Sequence, residues 1–144
     1  MNNSSAVVDA SFLIKLFSPE PLSNMAQAVR DNWVDSGVVR RAPSLIDYEI
    51  VSALNKKRFM GLINDAEAED ALAVAFEEPV EMIDTNDLHL SALRIAQRLG
   101  LRSTYDAHYL AAAEQLDCEF WTADERLYNA VRDRFPLIRW VGAP

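Results

Sequence analysis

Apolar residues along this chain follow two spacings. Short, largely apolar runs at residues 6–8, 38–39, 80–83, 118–122 and 137–141 have the length and the β-branched or aromatic content of buried strands. Between them, apolar residues recur every three or four positions, as on one face of a helix. Phe12, Leu13, Ile14, Leu16 and Phe17 predict a short helix broken by Pro19 and Pro21, and Leu22, Met25, Ala26, Val29 and Trp33 mark one face of a second, closed by Gly37. Arg40, Arg41 and Pro43 are expected to end the second strand. A long helix follows over about 44–60, stopped by Gly61. Asn64, with Glu67 three residues on, has the form of a capping box and opens a helix to Phe76, so the two helices make a hairpin. Asp87 is expected to cap a helix carrying Leu88, Ala92, Leu93, Ile95, Ala96 and Leu99 up to Gly100. Tyr109, Leu110, Ala113 and Leu116 mark the apolar face of the next helix, and Leu127, Val131 and Phe135 that of the last, which Pro136 stops. Strands and helices in alternation predict an α/β fold of three layers, with a mainly parallel five-stranded sheet between helices on both faces.

Composition narrows the class. The 144 residues, half of them hydrophobic, suit a single domain over residues 1–144 with a full core, and no repeat, linker or low-complexity run divides it. No stretch is long and apolar enough to span a bilayer, and the start lacks a basic segment before its apolar run, so the protein is expected in the cytoplasm, with no membrane partner. The single cysteine, Cys118, falls in an apolar strand and reads as a small buried hydrophobe. A formal net charge of −8 excludes a protein that coats nucleic acid through a global positive field. Any nucleic-acid contact has to come from a local patch or a bound metal.

That restriction turns attention to the acids. Asp9 follows the first strand and Asp124 the fourth, at the carboxyl edge where open α/β sheets place their chemistry. Asp106 lies in the first turn of the helix that feeds the fourth strand. Glu49, flanked by Ile46, Ile50 and Ala53, sits beside the buried stripe of the long helix and can point over the same edge. Each aspartate alone is explained by helix capping or by the positive end of a helix, and Glu49 alone by a solvated helix position. Capping does not require convergence, however, and here the topology sends all four to one edge. Like charges at about 4 Å cost roughly 4 kcal/mol per pair at an effective dielectric of about 20, so such a cluster needs protons or cations. An all-oxygen donor set suits magnesium or manganese and not zinc. His89 and His108 read as surface residues. Asp84 and Asp87 flank another carboxyl-edge loop, with Asp87 as the helix cap. Lys15, Lys56, Lys57, Arg58, Arg102 and Arg126 could rim the cleft, or belong to ordinary solvated surface.

Four segments belong together: Val7, Val8, Asp9, Ala10 and Ser11; Pro43 with Glu49, Ala53, Leu54 and Asn55; Tyr105, Asp106, Ala107, His108, Tyr109 and Leu110 with the three alanines that follow; and Trp121, Thr122, Ala123, Asp124, Glu125, Arg126 and Leu127. In this order and spacing they resemble the PIN-domain family, especially its VapC-type toxin ribonucleases. The resemblance implies a PIN-like α/β/α domain and a metal-dependent endoribonuclease, the toxin of a toxin–antitoxin pair. In it Asp9, Glu49, Asp106 and Asp124 hold one or two Mg2+ or Mn2+ ions, and a metal-activated water hydrolyses RNA phosphodiesters. Thr122 matches a hydroxyl that family members place beside the last aspartate. Many relatives carry Asn three residues after the motif glutamate, where this chain has Ser52. The resemblance also implies a small antitoxin protein. Phe59, Met60, Leu62 and Phe76 on the helical hairpin could receive it, or pair subunits in a homodimer, or pack on the chain's own core. An inactive PIN-fold interaction or regulatory module is the other reading. A phosphoacceptor domain fits less well, because receivers pair acids after the first strand and Asp9 stands alone.

Overall fold

The computed structural model describes residues 1–143. Among them, strands and helices alternate throughout: β1 (Ser5–Val8), α1 (Ala10–Phe17), α2 (Ser23–Ser36), β2 (Val39–Ala42), α3 (Leu45–Phe59), α4 (Asp65–Glu77), β3 (Val80–Met82), α5 (Leu88–Leu99), α6 (Thr104–Leu116), β4 (Glu119–Thr122), α7 (Glu125–Val131) and β5 (Ile138–Trp140). The strands form one sheet in the order β3-β2-β1-β4-β5, and every pairing is parallel. The sheet is thus wholly parallel, and the predicted three-layer α/β/α architecture is the one observed.

The chain runs outward from β1 through β2 to β3, then crosses back to β4 and β5 on the other side. Right-handed crossovers put α1–α4 on one face and α5–α7 on the other. Side-chain alternation along β4 agrees with this division. Phe120 lies flat against Tyr109 of α6, with ring centres 5.6 Å apart and planes at 9°. Its neighbour Trp121 meets Trp33 of α2 edge-on at 5.8 Å. β1 is central, and Val7 and Val8 are completely buried between the layers. Cys118 is buried and unpaired, as its apolar setting implies.

Local chemistry explains the element ends. Asn64 accepts a hydrogen bond from the Glu67 N–H while Glu67 accepts one from the Asn64 N–H, closing the capping box ahead of α4. Gly37, Gly61 and Gly100 each take positive φ where a helix stops.

Three expectations need correction. Arg40 and Arg41 do not end the second strand but lie inside it. Glu78, at the end of α4, accepts a charged hydrogen bond from buried Arg40 at 3.2 Å, and Arg41 pairs with Glu81 of β3 at 3.1 Å, so both charges are neutralised. Asp87 has helical backbone angles and makes no cap hydrogen bond. Its carboxylate instead accepts from the Gln115 side chain. Met25 is exposed, because α2 buries the narrower stripe of Ala26 and Trp33.

Candidate metal centre

Because the chain leaves β1 toward one edge of the sheet and returns to β4 on the other side, a crevice opens between the carboxyl ends of these two strands. Asp9 is the first residue past β1, Thr122 is the last of β4, and Asp124 lies two residues further on. Asp9 caps α1, accepting the Phe12 N–H at 2.9 Å. Its Oδ1 also accepts from Ser11 at 2.7 Å and its Oδ2 from Thr122 at 2.6 Å. Each hydroxyl has one proton to give. Ser11 Oγ accepts from the Ala123 N–H and Thr122 Oγ1 from the Asp124 N–H, so both hydroxyls are oriented to donate to Asp9. All three donors suit a carboxylate and not a carboxylic acid. Burial works against them: Asp9 is only 6% exposed, and desolvation pushes its pKa up to about 7 despite these bonds, with the Glu49 charge adding to the rise.

Glu49 projects from the second turn of α3 and is half-buried. Burial raises its pKa, opposed by a hydrogen bond from the Tyr109 hydroxyl to Oε1. Asp106, in the first turn of α6, is pushed up to about 6 by burial first, then by the charges of Asp124 and of Glu49. Asp124 is exposed and caps α7, its Oδ1 accepting the N–H groups of Arg126 at 3.0 Å and Leu127 at 3.2 Å. The electrostatic links therefore run from Asp9 to Glu49, from Glu49 to Asp106 and from Asp106 to Asp124.

Among the described residues, no ion pair involves any of these four acids, although ten join other residues. Among the described residues, no three His, Cys, Asp or Glu side chains stand close enough together to hold a metal ion. Burial is the larger cause of the raised pKa values, and like charge adds to those of Asp9 and Asp106; side chains that repel one another draw together only when protons or a cation neutralise them. The donors available are carboxylate oxygens with no cationic partner in the protein, a set that fits a hard divalent ion. Asp124 allows its two roles to be separated. Asn caps a helix about as well as Asp, so Asp124→Asn is expected to leave the melting temperature unchanged or slightly raised. Mn2+ affinity measured by titration calorimetry should fall by more than about tenfold if the Asp124 carboxylate serves as a metal ligand. A variant with unchanged Mn2+ affinity would return Asp124 to capping alone.

The remaining candidates divide. Ser52 is exposed, and its hydroxyl has no hydrogen-bonding partner among the described residues. Asp84 accepts from both the N–H and the hydroxyl of Ser44 at 3.0 Å, tethering the start of α3. His89 and His108 are joined at 2.8 Å; because the Thr104 carbonyl can only accept from His108 Nδ1–H, the Nε2 of a neutral His108 ring accepts a hydrogen bond from His89 Nδ1–H. Of the basic residues, Lys15 and Lys57 both pair with Glu20, and Arg58 pairs with Asp65. Lys56, Arg102 and Arg126 form no ion pair among the described residues, and the last two lie just before α6 and in the first turn of α7. Ser11 and Tyr109 were not expected at the site. Ser11 could have been found from its place two residues after Asp9, a short polar side chain at the start of a helix; Tyr109 carried no such signal.

The PIN domain family model matches residues 6–133. A crystal structure of PAE2754 from Pyrobaculum aerophilum is similar at a TM-score of 0.69 and 25% identity, over 96% of this chain and 90% of the other. That of VapC20 from Mycobacterium tuberculosis, described as a sarcin-ricin loop cleaving toxin, is similar at a TM-score of 0.66 and 19% identity, over 90% of this chain and 95% of the other. No curated protein shows a significant sequence match.

Proposed function

The chain belongs to the PIN domain family, and on that premise we propose that it is a divalent-metal-dependent endoribonuclease, the toxin of a toxin–antitoxin pair acting in the cytoplasm. The observation that carries this reading is the run of mutually repelling carboxylates at the β1–β4 crevice with no protein cation to neutralise them. Asp9, Glu49, Asp106 and Asp124 would hold magnesium or manganese. Such an ion, when bound, lowers the pKa of water and neutralises charge on a phosphate oxygen.

The protein's own part is positioning and charge. Thr122 and Ser11 turn Asp9 into the crevice and favour its ionised form. Arg102 and Arg126, at the starts of α6 and α7, offer guanidinium groups to RNA phosphates that a protein of net charge −8 otherwise repels. The sarcin-ricin loop activity in VapC20's description supports RNA as the substrate class to test first.

The test compares wild type with Asp9→Asn on single-stranded and structured RNA, with Mg2+, with Mn2+ and with chelator. Cleavage by wild type that requires metal and is lost in the variant is the expected result. Cleavage that survives both chelator and Asp9→Asn would overturn the assignment.

A second reading, an inactive interaction module, draws on the α3–α4 hairpin. Phe59 is 84% exposed, and Met60, Leu62 and Phe76 are exposed with it, so they do not pack on the core. A cavity of about 300 Å3 lies between the two helices, bordered by Val51, Leu54, Arg58, Asp65 and Leu72. Exposed apolar surface of this kind suits an antitoxin segment or a second subunit, with or without cleavage. A basic residue of such a segment reaching the acids would compete with metal. Raising Mg2+ should then weaken partner binding more than a monovalent salt of equal ionic strength does.

A further inference from the structure

We propose that Tyr109 is the positioning residue for Glu49: its hydroxyl sets the direction in which that carboxylate faces the other acids. The inference rests on the metal-site reading above. Tyr109 is 1% exposed and its ring is held flat against Phe120, so the phenol has little freedom to move. A buried phenol needs a partner for its proton, and Glu49 Oε1 supplies it. Glu49 needs the bond for a different reason. It is a long side chain with three rotatable torsions, and among the described residues no other group donates to it; the hydroxyl of Ser52, one turn further along α3, does not reach it. The bond also joins the two helical layers, because α3 and α6 lie on opposite faces of the sheet and the bond connects them at its carboxyl edge. Oε1 is engaged, and among the described residues Oε2 has no donor, which leaves it to a ligand.

Tyr109→Phe removes the hydroxyl and keeps the ring, its burial and its stacking on Phe120. With the metal-site geometry loosened, Mn2+ binding measured by titration calorimetry is expected to weaken about tenfold, within the range seen when a ligand loses its supporting hydrogen bond. At saturating metal, kcat for RNA cleavage should fall while KM stays within about twofold, because Tyr109 is buried and leaves no surface for RNA to contact. The decisive comparison uses Glu49→Gln. In that background, Tyr109→Phe should cost no further Mn2+ affinity, since the carboxylate it positions is gone. Equal Mn2+ affinity in wild type and Tyr109→Phe overturns the proposal and leaves the metal site standing. So does a loss of the same size in the Glu49→Gln background. A wild-type protein that takes up no Mn2+ overturns the proposal together with the metal reading beneath it.

Discussion

Metal-free protein is expected to lose melting temperature as pH rises from 5 to 8, and Mg2+ or Mn2+ is expected to restore it at pH 8. The folded protein holds protons on Asp9 and Asp106 more tightly than the unfolded chain does, with pKa values of about 7 and about 6 against an ordinary 3.8. Where the native state binds more protons, stability falls as pH increases. The contribution is fully present below about pH 4 and is lost as pH rises through 6 and 7. For the deeply buried Asp9 it amounts to a few kcal/mol. Ion pairs elsewhere, such as that of Glu78 with Arg40, respond in their own way, but they are common to wild type and Asp9→Asn. Subtracting the two melting profiles isolates the site. Parallel profiles for wild type and variant across this window would show that Asp9 carries no raised pKa. A divalent ion should reverse the slope because it binds the ionised, folded site and not the unfolded chain.

Asp106→Asn is expected to hold or raise metal-free stability while reducing RNA cleavage by more than about a hundredfold. The carboxylate it removes lies between the charges of Glu49 and Asp124, both of which disfavour its ionised form. Removing it relieves two repulsions at once, and asparagine keeps the shape. An acid that served only the positive end of α6 would behave in the opposite way, losing a few tenths of a kcal/mol to about 1 on neutralisation. Thermal melting without metal, paired with a cleavage assay, tells the two apart. A destabilised but active variant would remove Asp106 from the site.

Which parts of this site could be read in the sequence follows from how far each interaction reaches. The places of Asp9 and Asp124 at the carboxyl edge were legible because each follows a short apolar run, and the residue after a parallel strand has only one edge to occupy. The Asn64 and Glu67 cap was legible because its partners lie three residues apart. Tyr109 was not. It recurs at helical spacing with Leu110, Ala113 and Leu116, so it reads as core, and so it is, except for one oxygen whose acceptor lies 60 residues earlier on a helix across the sheet. Arg40 misled for a similar reason: a charge inside a strand is costly until Glu78, 38 residues on, neutralises it. The order of the strands, which opens the crevice between β1 and β4, has no local signature, since each strand is compatible with several neighbours.

The hydrogen bond from Thr122 to Asp9 spans 113 residues of chain, and β1, the first strand made, lies between partners of which one is nearly the last. At about 5–20 residues per second, a ribosome takes roughly 6 to 23 s to travel from one end of that bond to the other. During that interval Asp9 has Ser11 and the Phe12 N–H but not Thr122, and the β4 side of the first strand is unpaired. Any chain released short of Thr122 holds an incomplete crevice, however well its first half has folded. Synthesis itself therefore acts as a timer on the site: its assembly waits until β4 and Thr122 have been made.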